Sequence, residues 1–315
     1  MIVYQAESLL AAIGFLRQHP HAKLVAGGTD LLPRINQKLE KQQVLCYIGG
    51  LPGLSGISQN TDGSLVVGAL TRLAEIAENG ELRGYTALKQ AASQAASPQI
   101  RNVATLGGNL MQENRCIYFN NAVPWSDINH CFKWDGGQCF QYKNSKECVA
   151  LLQSDLAPVL IAYGAVARIQ GPSGQRELPV ASLYLPAGRK NLAHDELLIA
   201  IHLPALGREE SSAYIRKTIR GSFDFPLLSC AVWLRKDDGL IADCRAVFGA
   251  AGVMPAVLEL TEWQGQSAAE LAALAETKLP QVSKLIAPFQ DTRVNGAVRK
   301  DMARTLFRQA IAELI

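Results

Sequence analysis

Four of the chain's seven cysteines, Cys116, Cys131, Cys139 and Cys148, crowd into one stretch that also holds Tyr118, Phe119, Trp125, Phe132, Trp134, Phe140 and Tyr142. The other three, Cys46, Cys230 and Cys244, sit in apolar strand-like runs such as VLCYI and LLSCAVWL. An odd number of cysteines fits a secreted disulfide framework poorly and fits metal ligation plus buried free thiols better. Four thiolates shielded by aromatic rings are what an iron–sulfur cluster or a structural zinc needs, and the chain must fold so that they meet. Their spacing, C-x14-C-x7-C-x8-C, is neither the tight run of bacterial ferredoxins nor the paired C-x2-C of zinc ribbons. Spacing alone leaves the metal open. His130, beside Cys131, is the one other candidate ligand and reads as a surface residue.

The 315 residues suffice for two domains with sizeable cores. Charged residues make up 19%, the net charge is +3, and cationic runs such as Arg216-Lys217 stop at two residues. A nucleic-acid partner is not expected. The amino terminus lacks a basic leader followed by a cleavage site, and no apolar run approaches the roughly 20 residues of a membrane span. A soluble, cytoplasmic chain is expected.

Residues 1–60 read as helix, strand, glycine turn, helix, strand, with Ser8 capping the first helix and Thr29 or Asp30 the second. From 64 to 110 the order is strand SLVVGA, a cap at Thr71, helices around LAEIA and TALKQAASQAAS, then a second Gly-Gly turn. LAPVLIAYG reads as a helix, AVARIQ as a strand and GPSGQ as a hairpin turn. A looser stretch, 178–195, marks the expected domain boundary. LLIAIHL, SAYIRKTI, LLSCAVWLRK and LIADCRAVFGA follow as four strands, the last two a hairpin through Asp237-Asp238-Gly239. Two helices close the chain, the second from Asn295 to Leu314 with Val298, Met302, Leu306 and Ile311 on its apolar stripe.

Two segments carry phosphate-binding logic. In Leu24-Val25-Ala26-Gly27-Gly28-Thr29-Asp30-Leu31-Leu32, glycines let backbone N–H groups approach an anion, and a helix start behind them adds positive dipole ends. In Ile100 to Asn109, a second Gly-Gly turn is flanked by Thr105 and Asn109. Neither is a G-x-G-x-x-G or a Walker A sequence. Singly, each is as much a turn as a site, and Asp155 in SDLAPVL is equally a helix cap.

In this order, LVAGGTDLL, PQIRNVATLGGNL, SDLAPVL and HDELLIAIHLP resemble the FAD-binding subunit of the molybdenum hydroxylase family, which includes xanthine dehydrogenases, carbon monoxide dehydrogenases and aldehyde oxidoreductases. The resemblance implies an α+β chain. A two-part α/β FAD-binding domain of the vanillyl-alcohol-oxidase type over 1–180 would precede a sheet-plus-helices domain over 196–315, of the CO dehydrogenase flavoprotein C-terminal type. It further implies that Leu24 to Leu32 wrap the FAD pyrophosphate, with Gly27, Gly28 and Thr29 amides as donors. Thr105, Gly108 and Asn109 would form a second wall, Asp155 would bond the ribityl or adenosine part, and Leu198 would lie against the isoalloxazine. A basic residue, Lys217 or its neighbour Arg216, would approach the flavin. Asn109 and Asp155 stand farther apart than in xanthine dehydrogenase-like members, and the cysteines fill the extra stretch, about 113–151. That insertion resembles the one in the β subunit of 4-hydroxybenzoyl-CoA reductase, which holds a [4Fe–4S] cluster; certain bacterial aldehyde oxidoreductases carry a related one. The implied role is electron transfer in a dimer of heterotrimers. A ferredoxin would feed cluster and FAD, a [2Fe–2S] small subunit and a molybdopterin large subunit would follow, and an aromatic thioester would be reduced. The alternatives are the flavin subunit of an aldehyde or purine hydroxylase and a zinc-stapled scaffold.

Overall fold

The computed structural model describes residues 1–40, 44–120, 131–221, 223–287 and 294–315. His130 and Trp125 lie outside them. Strand β1 (Ile2–Gln5) leads into α1 (Leu9–Gln18), β2 (Lys23–Val25), α2 (Leu31–Asn36) and β3 (Val44–Tyr47). These strands form a three-stranded parallel sheet in the order β1-β3-β2. Ser8 caps α1 as expected, its hydroxyl accepting the Ala11 N–H. Strand β1 leaves no signal in the sequence, because its side chains are mostly exposed and show no apolar alternation.

A second sheet contains β4 (Ile57–Gln59) and β5 (Leu65–Gly68). After β5 come α3 (Leu73–Glu78), α4 (Thr86–Gln94), the turns α5 (Pro98–Arg101) and α6 (Leu106–Met111), and α7 (Ile117–Asn120) in the cysteine region. Beyond that region lie α8 (Leu156–Ala162), the hairpin β6 (Val166–Gly171) and β7 (Gly174–Pro179), and β8 (Leu197–Leu203). The sheet order is β4-β5-β8-β6-β7, antiparallel throughout. Strand β8, expected to open the second domain, therefore belongs to the first. Its residues 197–201 are all buried, as a central strand requires. Thr71 does not cap α3. Its hydroxyl instead clamps Gly56, accepting that residue's N–H and donating to its carbonyl.

The remaining strands β9 (Glu210–Lys217), β10 (Leu228–Asp237), β11 (Leu240–Gly249) and β12 (Ala256–Glu259) form an antiparallel sheet. Alternation sorts its residues. Tyr214, Ala231 and Val247 join the core containing α4 and α8, whereas Cys230, Val232, Ala246 and Phe248 face α9 (Leu271–Leu285) and α10 (Gly296–Ala312). The sheet is thus covered on both faces. Every residue of α8 is buried, which explains why its sequence is apolar all round. Each fully buried Leu or Phe in these cores contributes about 1.5–3 kcal/mol. In α10, Val298 is exposed while Arg299 is buried. The Arg299 guanidinium donates to the carbonyls of Leu227 and Ala250, while Met302, Leu306 and Ile311 of the expected stripe pack into the core and only Val298 lies off it.

Candidate functional site

The loop between β2 and α2 turns through Gly27 and Gly28. Gly28 has φ +70°, a left-handed conformation that other residues adopt at a cost. A Cβ on Gly27 would lie 2.0 Å from the carbonyl oxygen of Val103, so the two Gly-Gly segments touch backbone to backbone. Among the described residues no hydrogen bond engages the N–H groups of Gly27, Gly28 or Thr29. They border a cavity of about 250 Å³ whose walls include Leu24 to Leu31, Arg34, Thr105, Gly108 and Glu113. Open amides, a cradle that a methyl group would fill and an adjoining helix start suit a pyrophosphate.

The second segment works differently from the first. The Leu106 and Gly107 amides bond the carbonyls of Thr71 and Ala69, and the Gly108 amide is taken by the Thr105 hydroxyl. This turn is a capped helix start packed against β5, with its amides spoken for, and it contributes wall rather than donors. Asn109 points away. Its side-chain oxygen accepts the Ser154 hydroxyl at 2.6 Å and the Leu156 N–H at 3.3 Å. Ser154, not Asp155, caps α8, accepting the Ala157 N–H. Asp30 likewise caps nothing: its carboxylate accepts the Glu113 N–H and pairs with Arg115 at 2.7 Å and Arg34 at 3.4 Å.

Asp155 lies outside this cavity's walls and is buried. One of its oxygens accepts both the Tyr214 hydroxyl and the Arg216 Nε–H, each at 2.8 Å. Burial pushes its carboxyl up against the opposing pull of Arg216 and Tyr214. Arg216, rather than the exposed Lys217, is thus the basic residue that reaches Asp155. Leu198 is buried in the core of the first domain, opposite Ile169, and Leu32 is partly exposed at the edge of the loop.

Cys116, Cys131, Cys139 and Cys148 line one small cavity, together with Tyr118, Phe119, Phe132 and Phe140. Phe119 packs on Trp134 with ring centres 5.6 Å apart, while Tyr142 is half exposed. The aromatic shell expected from the sequence is therefore present around the sulfurs. The Trp134 indole N–H is buried without a partner among the described residues. Burial pushes the Cys116 and Cys148 thiols up, so they would be neutral unless a metal displaced their protons. No three His, Cys, Asp or Glu side chains among the described residues are gathered closely enough to hold a single metal ion. Cys46, Cys230 and Cys244 are buried in β3, β10 and β11, as expected.

The two cavities share a strap. Glu113 lines the first cavity and Cys116 the second, with Asn114 and Arg115 between. Asn114 is fully buried and donates to the carbonyls of Ala150 and Val253, and Arg115 stacks 4.0 Å from the Phe225 ring centre. Half-buried Lys190 meets Asn114 at 3.4 Å, and desolvation lowers its ammonium pKa to about 8. Sequence reasoning did not find Glu113, Lys133 or Lys190. Of the ion pairs around the strap, only Asp30 and Arg34, four apart on one helix, left a local signal.

Residues 1–206 match the family described as the FAD binding domain in molybdopterin dehydrogenase, and residues 213–314 match the CO dehydrogenase flavoprotein C-terminal domain. The chain is 29% identical over 314 residues to a xanthine dehydrogenase FAD-binding subunit of Escherichia coli O157:H7, covering 99% of this chain and 95% of that one. It is 33% identical over 249 residues to the aldehyde oxidoreductase FAD-binding subunit PaoB of Escherichia coli K12, covering 74% and 75% of the two chains. The fold matches a carbon monoxide dehydrogenase chain from Hydrogenophaga pseudoflava with a TM-score of 0.79 at 22% identity, over 99% and 96% of the chains. No helix among the described residues is long and apolar enough to cross a membrane. The expected α+β order, FAD-binding domain before flavoprotein C-terminal domain, holds, and the chain belongs to the family of FAD-binding subunits of molybdenum hydroxylases.

Proposed function

We propose that this chain is the electron-transfer subunit of an aldehyde oxidoreductase- or xanthine dehydrogenase-type molybdenum hydroxylase, binding FAD in the Gly27–Gly28 cavity and a [4Fe–4S] cluster on Cys116, Cys131, Cys139 and Cys148. The strap that places both cavities side by side carries this reading. FAD supplies two-electron and one-electron transfer when bound. Gly27, Gly28 and Thr29 would hold its pyrophosphate, Thr105 and Gly108 would close the opposite wall, and the Asp155–Arg216 pair would stiffen the seam between the domains. Asp155 and Leu198 would meet the flavin only at the edge of their packed positions. The four cysteines line one cavity ringed by aromatic side chains, an all-thiolate donor set that suits a cubane as it also suits zinc. The unpartnered Trp134 N–H is a donor suited to a sulfur acceptor.

A [2Fe–2S] small subunit and a molybdopterin large subunit are the proposed partners, since the chain is similar along its length to the FAD-binding subunit of a xanthine dehydrogenase. The reductase reading, in which a ferredoxin feeds electrons toward 4-hydroxybenzoyl-CoA, has the cysteine loop in its favour. The identities to xanthine dehydrogenase and aldehyde oxidoreductase subunits favour the hydroxylase.

Co-production with both partners under anaerobic conditions tests the assignment. The complex should release FAD, hold about four irons at the cysteine cavity beyond those of the small subunit, and oxidise aldehydes or purines. FMN in place of FAD, or one zinc in place of the irons, would overturn the corresponding half. Reduction of 4-hydroxybenzoyl-CoA without aldehyde or purine oxidation would favour the reductase.

A further inference from the structure

Lys133 stands between the two cavities. It lines the cysteine cavity, and among the described residues doing so it alone carries a fixed charge. Its ammonium is ion-paired with the Glu113 carboxylate in the wall of the other cavity and donates to the Asn114 carbonyl at 3.1 Å. It also lies 5.1 Å from the centre of the Phe119 ring, and its side chain is only 12% exposed. From Glu113 to Cys116 is three residues, a span of at most roughly 11 Å of extended chain. Asp30 grips the same strap from the far side through the Glu113 N–H and Arg115. Lys190 and Arg34 also act electrostatically on Glu113.

We propose that Lys133 is the positioning residue that joins the two cavities: its charge raises the electron affinity of a cluster held by the four cysteines, and its bonds to Glu113 and Asn114 fix the strap that carries Cys116. The inference rests on the cluster reading above. Adding an electron to a thiolate-ligated cluster adds negative charge in a water-poor shell. A cation buried beside it is screened weakly and favours the reduced form. The same cation bonds the backbone of the strap, so the dinucleotide cavity and the cysteine cavity share one point of support.

The test uses the assembled complex and reads the midpoint of the cluster's electron paramagnetic resonance signal, with iron and FAD content alongside. Lys133→Met should keep its iron yet shift the one-electron equilibrium toward the oxidised form by tenfold or more, about 59 mV. Lys133→Arg should stay within threefold of the wild type. Glu113→Gln, which leaves the Lys133 charge uncompensated, should move the midpoint the opposite way, and it decides the matter if Lys133→Met fails to assemble. Iron-loaded variants whose midpoints coincide with the wild type would overturn the proposal. A wild-type complex with FAD and no iron at these cysteines is a different result: it removes the cluster reading itself.

Discussion

Around Gly27 and Gly28 the cavity is bordered by open backbone amides; around Cys131 it is lined by thiols and aromatic rings. The first wall comes from two strand-or-turn-to-helix junctions, each specified by a handful of consecutive residues. The second comes from residues spread between Cys116 and Cys148, with one helical turn at Ile117–Asn120 and a single 3₁₀ turn at Phe132–Trp134 among its described residues. A backbone cradle tolerates almost no added atom. A side-chain cage tolerates changes in its packing and fails when a ligating atom is lost.

The sharpest way to break this contrast is at Gly27. Gly27→Ala would drive a methyl group into the Val103 carbonyl, a backbone atom that cannot rotate aside. The expected loss exceeds the ~1–3 kcal/mol usual for overpacking, and FAD should be absent from the purified complex. Gly28→Ala should be milder. Its Cβ would meet the movable tip of Leu32, and the left-handed backbone costs about 1–2 kcal/mol. Denaturant midpoints and flavin content measure both, and equal effects would mean that the close approach at Gly27 does not govern the cradle.

The cage is tested by one-atom changes. Serine at Cys116, Cys131, Cys139 or Cys148 should lower iron from about four per chain at this site toward zero while leaving FAD bound. Serine at Cys46, Cys230 or Cys244 should leave iron content as it was, at a stability cost of about 1–3 kcal/mol for burying a hydroxyl. Iron lost equally from both sets would show that it does not reside in the cavity.

Lys190 supplies a pH signature for the strap between the cavities. Burial lowers its pKa from 10.5 to about 8, so the unfolded chain holds this proton more tightly than the folded one. Below about pH 8 the cost of the buried charge is fully in place. Between pH 8 and 10.5 the unfolded state binds more protons, and stability should rise with pH by up to ~3 kcal/mol from this group. Lys190→Met should lack that rise. Parallel urea midpoints for the two proteins across this range isolate the lysine from the tyrosines and cysteines that also titrate there; parallel curves would place its ammonium in water.

What the sequence disclosed follows the same division. The Gly-Gly loop, the cap at Ser8, the β6–β7 hairpin and the buried α8 were legible because each is decided within a few neighbours. The cysteines announced a shared cavity by type and clustering alone. The partner of Asp155 was hidden, because Arg216 and Lys217 are adjacent and only the sheet register decides which faces inward. Strand β8 was assigned to the wrong sheet for a related reason. An apolar run followed by three more strands reads as continuous with them, yet the pairing of Leu65 with Leu203 and of Ala167 with Ile201 is set by residues far away in sequence.

The smallest expected effect lies at Ser154, where a local motif and a tertiary contact meet. Its hydroxyl accepts the Ala157 N–H at the start of α8 and donates to Asn109 at the end of the second Gly-Gly segment. Ser154→Ala should cost about 1 kcal/mol, the usual value of a lost cap. It leaves the Asn109 side-chain oxygen with only the long 3.3 Å bond from Leu156 N–H. If Asn109 serves mainly to fix α8, as this geometry indicates, the variant should lose stability while FAD occupancy stays at the wild-type level. Asn109→Ala should do the same. A drop in flavin content without a change in the denaturant midpoint would instead put Asn109 on the cofactor, and the second wall would then be a binding surface in its own right.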